Sequence, residues 1–163
     1  MKKYILKSLG FTMVVSLLVA CQTTPTPQKS AALGLLICEP NELCPIVQVS
    51  WNEQALDHVA IKVSLDSVQQ NYDIQKITFS NGTEELSYGP TAKTTNSMFF
   101  GLHRSQNNFS IPTSLVHTLK GDNISMAVHT NQGTLERYIY KSGQESLIYQ
   151  QLKSIRAQKS AQR

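Results

Sequence analysis

The 163-residue sequence carries 15 Lys and Arg against 11 Asp and Glu, with 40% apolar residues and three cysteines. That apolar fraction excludes a disordered chain, and the length suits one domain. Lys2, Lys3 and Lys7 all fall in the first seven positions, which leaves 12 basic against 11 acidic residues in the remainder. So balanced a chain lacks the field of a nucleic-acid binder, and none is expected as a partner.

After the basic start, residues Phe11 to Ala20 are apolar apart from Thr12 and Ser16, and Cys21 follows. This is the zone order of a secretory signal peptide. The run is about ten residues long, whereas a spanning helix takes roughly 20. Leu18-Val19-Ala20-Cys21 resembles the lipobox of bacterial lipoproteins. That resemblance covers the first 21 residues and implies cleavage before Cys21, a diacylglyceryl group on its thiol and acylation of the freed amine. A single acyl chain holds a protein marginally, while two or three anchor it. Gln22, where an Asp would signal retention, resembles the outer-membrane sorting pattern. The expected location is therefore the cell envelope, lipid-anchored to the outer membrane and facing the periplasm. The Asn-x-Ser/Thr triplets at Asn81, Asn108 and Asn123 carry no glycan in that setting.

Residues 1–20 are thus expected to be a signal peptide, 21–30 a lipidated N-terminus with a polar, proline-containing tether, 31–152 a single disulfide-containing β-rich domain, and 153–163 a basic tail. Cys38 and Cys44 remain once Cys21 carries lipid, and Pro40-Asn41 between them favours a turn, so a structural bridge is expected. Neither C-x-x-C spacing nor a nearby His points to redox or zinc chemistry. No metal and no cofactor are expected.

From Pro45 the dominant period is two. Val47, Val49 and Trp51 alternate with Gln48 and Ser50, and Val59, Ile61, Val63 and Leu65 with Ala60, Lys62 and Ser64, the pattern of half-buried strands. Ile74 to Phe79 and Thr83 to Tyr88 flank Ser80-Asn81-Gly82, where Asn-Gly favours the positive φ angles of a tight hairpin. Thr91 to Ser97 reads as a polar loop, Met98 to Leu102 as a short buried strand, and Phe109 to Ile111 as another, stopped by Pro112.

Thr113 or Ser114 caps a predicted short helix carrying Leu115, Val116 and Leu119, with Gly121 past its end. Ile124, Met126 and Val128, then Leu135, Arg137 and Ile139, predict a second hairpin with a longer loop at Asn131-Gln132-Gly133. Ser142-Gly143-Gln144-Glu145 matches a capping box, and Ile148, Leu152 and Ile155 continue it as an amphipathic helix packed on the sheet. Lys153, Arg156, Lys159 and Arg163 form a basic end, read as a solvated, frayed terminus with anionic lipid or cell-wall carboxylates as the alternative. The sum is a mainly β domain, an antiparallel sheet or small β-sandwich with one short helix and a C-terminal helix; α+β is the alternative.

For chemistry, His58, His103, His117 and His129 are scattered, and no serine sits in G-x-S-x-G or S-x-x-K. One segment, Met98 to Phe109, gathers aromatic, His, Arg and amide side chains. Phe99, Phe100, His103, Arg104, Asn107 and Asn108 are its candidate ligand- or partner-binding residues, weighed against a partly buried strand and polar turn. The leading expectation is a non-catalytic envelope lipoprotein that binds or assembles with an envelope protein or the cell wall. An inhibitor of a host or rival hydrolase, presenting Gln106 to Phe109 as its loop, is the second. An envelope hydrolase built around His103 or His129 is the third.

Overall fold

The computed structural model describes residues 28–30, 34–52 and 55–161. The signal peptide and the lipobox, Cys21 included, lie outside these residues. In chain order the elements are β1 (Gln28–Ser30), β2 (Gly34–Leu35), β3 (Ile46–Asn52), β4 (Ala55–Ser67), β5 (Ile74–Ser80), β6 (Glu85–Tyr88), β7 (Thr95–Phe99), β8 (Leu102–Pro112), α1 (Leu115–Thr118), β9 (Asn123–Thr130), β10 (Gly133–Lys141), β11 (Gln144–Glu145) and α2 (Leu147–Ala161).

Two antiparallel sheets pack as a sandwich. The first has the order β1-β3-β4-β8-β7, with β2 also on β3, and the second has the order β11-β10-β9-β5-β6. The period-two stripes face each other: Val49 pairs with Ile61 and Ile61 with Phe109 across the first sheet, while Ile77 pairs with Val128 and Phe79 with Met126 across the second. All of these are fully buried. Burying each such side chain stabilises the fold by about 1.5–3 kcal/mol. The expected β-sandwich with a C-terminal helix is therefore the architecture found. Along α2, Ile148, Leu152 and Ile155 are buried, and Tyr149 stacks on Tyr140 of β10 with ring centroids 5.0 Å apart.

Several local expectations are corrected. β1 pairs with β3, Lys29 opposite Trp51, so the last three residues of the expected tether belong to the first sheet. In the β5–β6 turn only Gly82 takes a positive φ, 87°. Asn81 acts through its side chain instead: its Oδ1 accepts from the N–H groups of Thr83 (3.0 Å) and Glu84 (2.8 Å). The loop between β9 and β10 is shorter than expected, since Thr130 pairs directly with Gly133. Ser142 and Gly143 do not cap a helix. Both have positive φ (47° and 91°) and form a two-residue turn that pairs Lys141 with Gln144. The cap falls to Ser146, whose Oγ accepts from the Tyr149 N–H at 3.3 Å. Glu145 pairs with Lys153 at 2.6 Å, and the basic stretch continues the helix to Ala161 where a frayed end was expected.

Two joints hold the sheets together. The first is Ile37, which follows β2 and donates its N–H to the Tyr138 carbonyl of β10 at 2.8 Å, stitching one edge of the sandwich shut. The Cys38–Cys44 disulfide, Cα–Cα 5.9 Å, folds the next turn against this seam. Arg137 braces the turn, reaching the Glu42 carboxylate at 3.1 Å and the Leu43 carbonyl at 3.2 Å.

The second joint lies inside the core. β8 carries Ser105 and Asn107 on its inward face, both buried. Ser105 Oγ accepts from the Tyr72 N–H (2.8 Å), while Asn107 Nδ2 donates to the Ile74 carbonyl (2.9 Å) and to Thr94 Oγ1 (3.1 Å). Thr94 Oγ1 also accepts from the Ile74 N–H at 2.9 Å. These bonds satisfy the polar backbone where the chain crosses from β4 to β5 and returns from β6 to β7, groups that are costly to bury unpaired.

Replacing Cys38 and Cys44 together by Ser is expected to lower unfolding free energy by about 2 kcal/mol, the chain entropy released by opening so short a ring. Urea denaturation of the variant against the oxidised protein measures it.

Candidate binding site

The hairpin formed by β7 and β8 is the candidate site. Its two-residue turn, Phe100-Gly101, has positive φ at both positions, 48° and 80°, as the twist of a tight hairpin demands. Gly101 meets this without strain. Phe100 does not: a bulky L-residue in the left-handed region costs about 1–2 kcal/mol. Among the described residues the other non-glycine positions with positive φ, Asn41 and Ser142, are small and polar.

Phe100 is also 92% exposed, and Met98 (62%) and Phe99 (40%) are exposed beside it. The Phe99 and Phe100 rings meet edge-to-face with centroids 4.6 Å apart. Arg104 Cζ lies 3.6 Å over the centre of the Phe99 ring. The same guanidinium donates through Nε to Asp66 Oδ1 at 2.6 Å and through Nη2 to the other carboxylate oxygen. Hydrogen bonding to Asp66 raises the Arg104 pKa further above its ordinary value. The cation is thus neutralised within the site and serves as a platform for Phe99. On the other face of the hairpin, His103 pairs with Met98, and both line a shallow groove with Asn71 and Asn96.

Of the six residues singled out in the sequence, Phe99, Phe100, His103 and Arg104 come together at this tip. Asn107 and Asn108 do not. They lie roughly 20 Å along β8, at about 3.3 Å per residue. Asn107 is buried, with its amide spent on the core joint and its Oδ1 accepting from the Asn108 N–H at 2.8 Å. The expected polar loop at 91–97 gives way at Thr95 to β7, and the expected buried strand Met98 to Leu102 is the hairpin tip, with Met98, Phe99 and Phe100 exposed and the turn at Phe100-Gly101. Gln106 to Phe109, the loop an inhibitor would present, is the middle of β8. Outside those six, exposed apolar side chains include Met98 and also Val68, which follows β4 where Ser67 pairs with His103. The Gly after two Phe residues was the available signal of a turn.

A second polar cluster lies on the outer face of the second sheet. His129 Nε2 is 2.9 Å from Thr78 Oγ1, its Nδ1 is 3.0 Å from Thr134 Oγ1, and Thr78 Oγ1 is 2.8 Å from Ser87 Oγ. Hydroxyl groups occupy both ring nitrogens, so no carboxylate holds the position that orients a catalytic imidazole. Burial, and then the nearby Lys76 charge, push the His129 pKa below its ordinary value of 6.5. Among the described residues no group of three or more His, Cys, Asp or Glu could hold a metal, and no helix is long and apolar enough to cross a membrane.

Two outcomes are expected. Phe100→Asn should raise stability by no more than about 1 kcal/mol, because Asn relieves the left-handed strain while the edge-to-face contact with Phe99 is given up; thermal melting reads this directly. For His129, the unfolded chain takes up a proton at a higher pH than the folded one. Its contribution is therefore complete above 6.5 and is lost as the pH falls from 6.5 through the lowered folded value. His129→Gln should flatten that part of the melting-temperature profile.

Comparison with known proteins finds no matching family model, no matching curated protein and no matching solved structure.

Proposed function

We propose that this chain is a lipid-anchored envelope protein, processed at Cys21, whose folded domain is a non-catalytic binding module that engages an envelope partner through the β7–β8 tip. The observation that carries the binding assignment is Phe100, a large apolar side chain left in water on a backbone that favours Gly or Asn. Strain of this kind at an exposed position is characteristic of functional sites.

The direction of the tip supports the same reading. β1 joins the first sheet where Gln28 pairs with Asn52, at the end of the sheet that also holds Pro112. The tip lies beyond the opposite end, where Ser67 pairs with His103. β8 spans 11 residues between those ends, roughly 35 Å. A fully extended chain from Cys21 to Gln28 covers at most about 25 Å. A domain anchored through Cys21 would hold its tip away from the anchoring bilayer and towards the aqueous compartment, which favours a protein or cell-wall partner over the anchoring lipid.

Cys21→Ser should shift the protein from the membrane to the soluble fraction on envelope fractionation. In the full-length protein in living cells, a photoreactive benzoylphenylalanine at position 100 should crosslink to a discrete envelope component, and the same group at the exposed Ser110 should not. Equal adducts from both positions, or none from position 100, would overturn the assignment.

A further inference from the structure

We propose that the basic end of α2 is a second membrane contact, which lies on the anionic phospholipid headgroups of the bilayer that holds Cys21 and so fixes how the domain stands on it. This rests on the lipid-anchor reading above and adds an orienting surface to it.

The direction of α2 puts that end where the tether enters. The helix starts beside β2, with Gly34 packed on Leu147 and Ile148, and Gly34 is paired with Val47 of β3. It then runs towards α1. Tyr149 and Leu152 line one apolar pocket with Leu115 and Leu119, which follow Pro112 at the β1 end of the first sheet. From Val47 to Asn52, the partner of Gln28, β3 covers roughly 17 Å. The 15 residues of α2 cover roughly 22 Å. Its last turn therefore passes the end of the first sheet, on the side from which the chain leads back to Cys21.

The sequence changes character at the same place. Ile148, Leu152 and Ile155 are buried at i, i+4 and i+7, and the next position of that series, 159, is a Lys, so the apolar stripe stops where the core stops. Between positions 146 and 163 there is no Asp or Glu, and Arg156, Lys159 and Arg163 follow one another at intervals of three and four. Arg156 is exposed. Lys153, one turn earlier, is a different case, because Glu145 holds it at 2.6 Å and neutralises it within the fold. The acidic residues described at this end stand apart from the helix. Glu84 and Glu85 lie at β6, the far edge of the second sheet, four strands or roughly 19 Å from β11. Asp122 has Lys120 and Lys141 as neighbours, and Asp57 is on β4 in the middle of the first sheet.

Cations in a last helical turn also offset the helix dipole, but that service depends neither on lipid nor on its charge. The bilayer is the occupant because of where the tether fixes it. Its headgroups lie no further from Gln28 than the chain from Cys21 allows, about 25 Å, and the helix end projects to the same side. Within the screening length of about 8 Å at physiological salt, each Lys or Arg near an anionic surface favours the docked state by roughly fivefold, and three by roughly a hundredfold. Docking there brings the α2 edge of the sandwich down to the lipid and lifts the Glu84 and Glu85 edge away. The β7–β8 tip is left at the far end, facing the aqueous compartment.

The test reconstitutes the full-length lipidated protein on vesicles of phosphatidylcholine, alone or mixed with phosphatidylglycerol, each carrying a headgroup-linked quencher. A genetically encoded fluorescent amino acid replaces Ser160, exposed near the end of α2, or Ser97, exposed on β7. Position 160 should be quenched on the anionic vesicles and far less on the neutral ones, or at about 1 M salt, where the screening length falls to about 3 Å. Position 97 should stay bright on both. Arg156→Gln, Lys159→Gln and Arg163→Gln together should lower the docked-to-undocked ratio by roughly a hundredfold, while Arg156→Lys, Lys159→Arg and Arg163→Lys together, which keep the charge, should leave it within about threefold. Quenching at position 160 that ignores lipid charge and survives the Gln substitutions overturns the proposal, and flotation of the protein with both kinds of vesicle would then leave the anchor standing. If position 160 stays bright throughout and the Gln variant instead loses binding to purified cell-wall sacculi, the basic end serves the wall and the proposal is wrong. A protein that fails to float with neutral vesicles removes the lipid anchor, and this contact with it.

Discussion

The constraint on which the architecture turns is one amide in an apolar core. Asn107 lies between two sheets whose facing residues are mostly Val, Ile, Leu and Phe, and its side chain serves Ile74 at the start of β5, Thr94 just before β7 and the backbone of β8. Removing that amide would leave the Ile74 carbonyl only the longer bond from Thr94 Oγ1, at 3.3 Å, and loosen three segments together. The two-residue turn at Phe100-Gly101 sets the register of the hairpin, and the bonds of Asn107, about 20 Å away along the strand, secure its other end. A polar joint is directional in a way that packed methyl groups are not, and the fold places it where two sheet crossings meet.

The two ends of the first sheet are consequently unlike. One end receives the chain through β1, and the other carries a hairpin that extends past the packed core. Function, on the reading proposed above, lies where the sandwich has finished burying its side chains. The aromatic pair at the tip contributes little to the core, and Arg104 is occupied by Asp66 in holding Phe99 in place. The tip is thereby stiffened before any partner arrives, which lowers the ordering cost of binding.

How much of this was readable in advance depended on whether the cause was local. The alternation of Val59, Ile61, Val63 and Leu65 announces a strand because one face is buried, and the Cys38–Cys44 pairing follows from the small number of candidates. β7 leaves no periodic signal because both of its faces meet water, so Thr95-Asn96-Ser97 shows no alternation. Met98 to Leu102 reads as buried on composition, but apolar character records a preference and not a location. The capping-box spacing at Ser142 and Glu145 equally suits a turn, and Gly143 was the residue that argued for one. Asn107 as a core joint was invisible in one dimension, because Ile74 and Thr94 lie 33 and 13 positions away.

The ring closed by Cys38 and Cys44 spans a sequence separation of only six, and nothing in its closure requires either sheet. Loops of this size close on timescales far shorter than the pairing of distant strands. In a chain refolding with the bond intact, the turn is therefore already shaped when Ile37 meets Tyr138. The seam then forms against a prefolded wedge instead of a loose segment. Reducing conditions would on this account slow the closing of the sandwich as well as weaken the finished one, a kinetic role distinct from the equilibrium contribution of the bond.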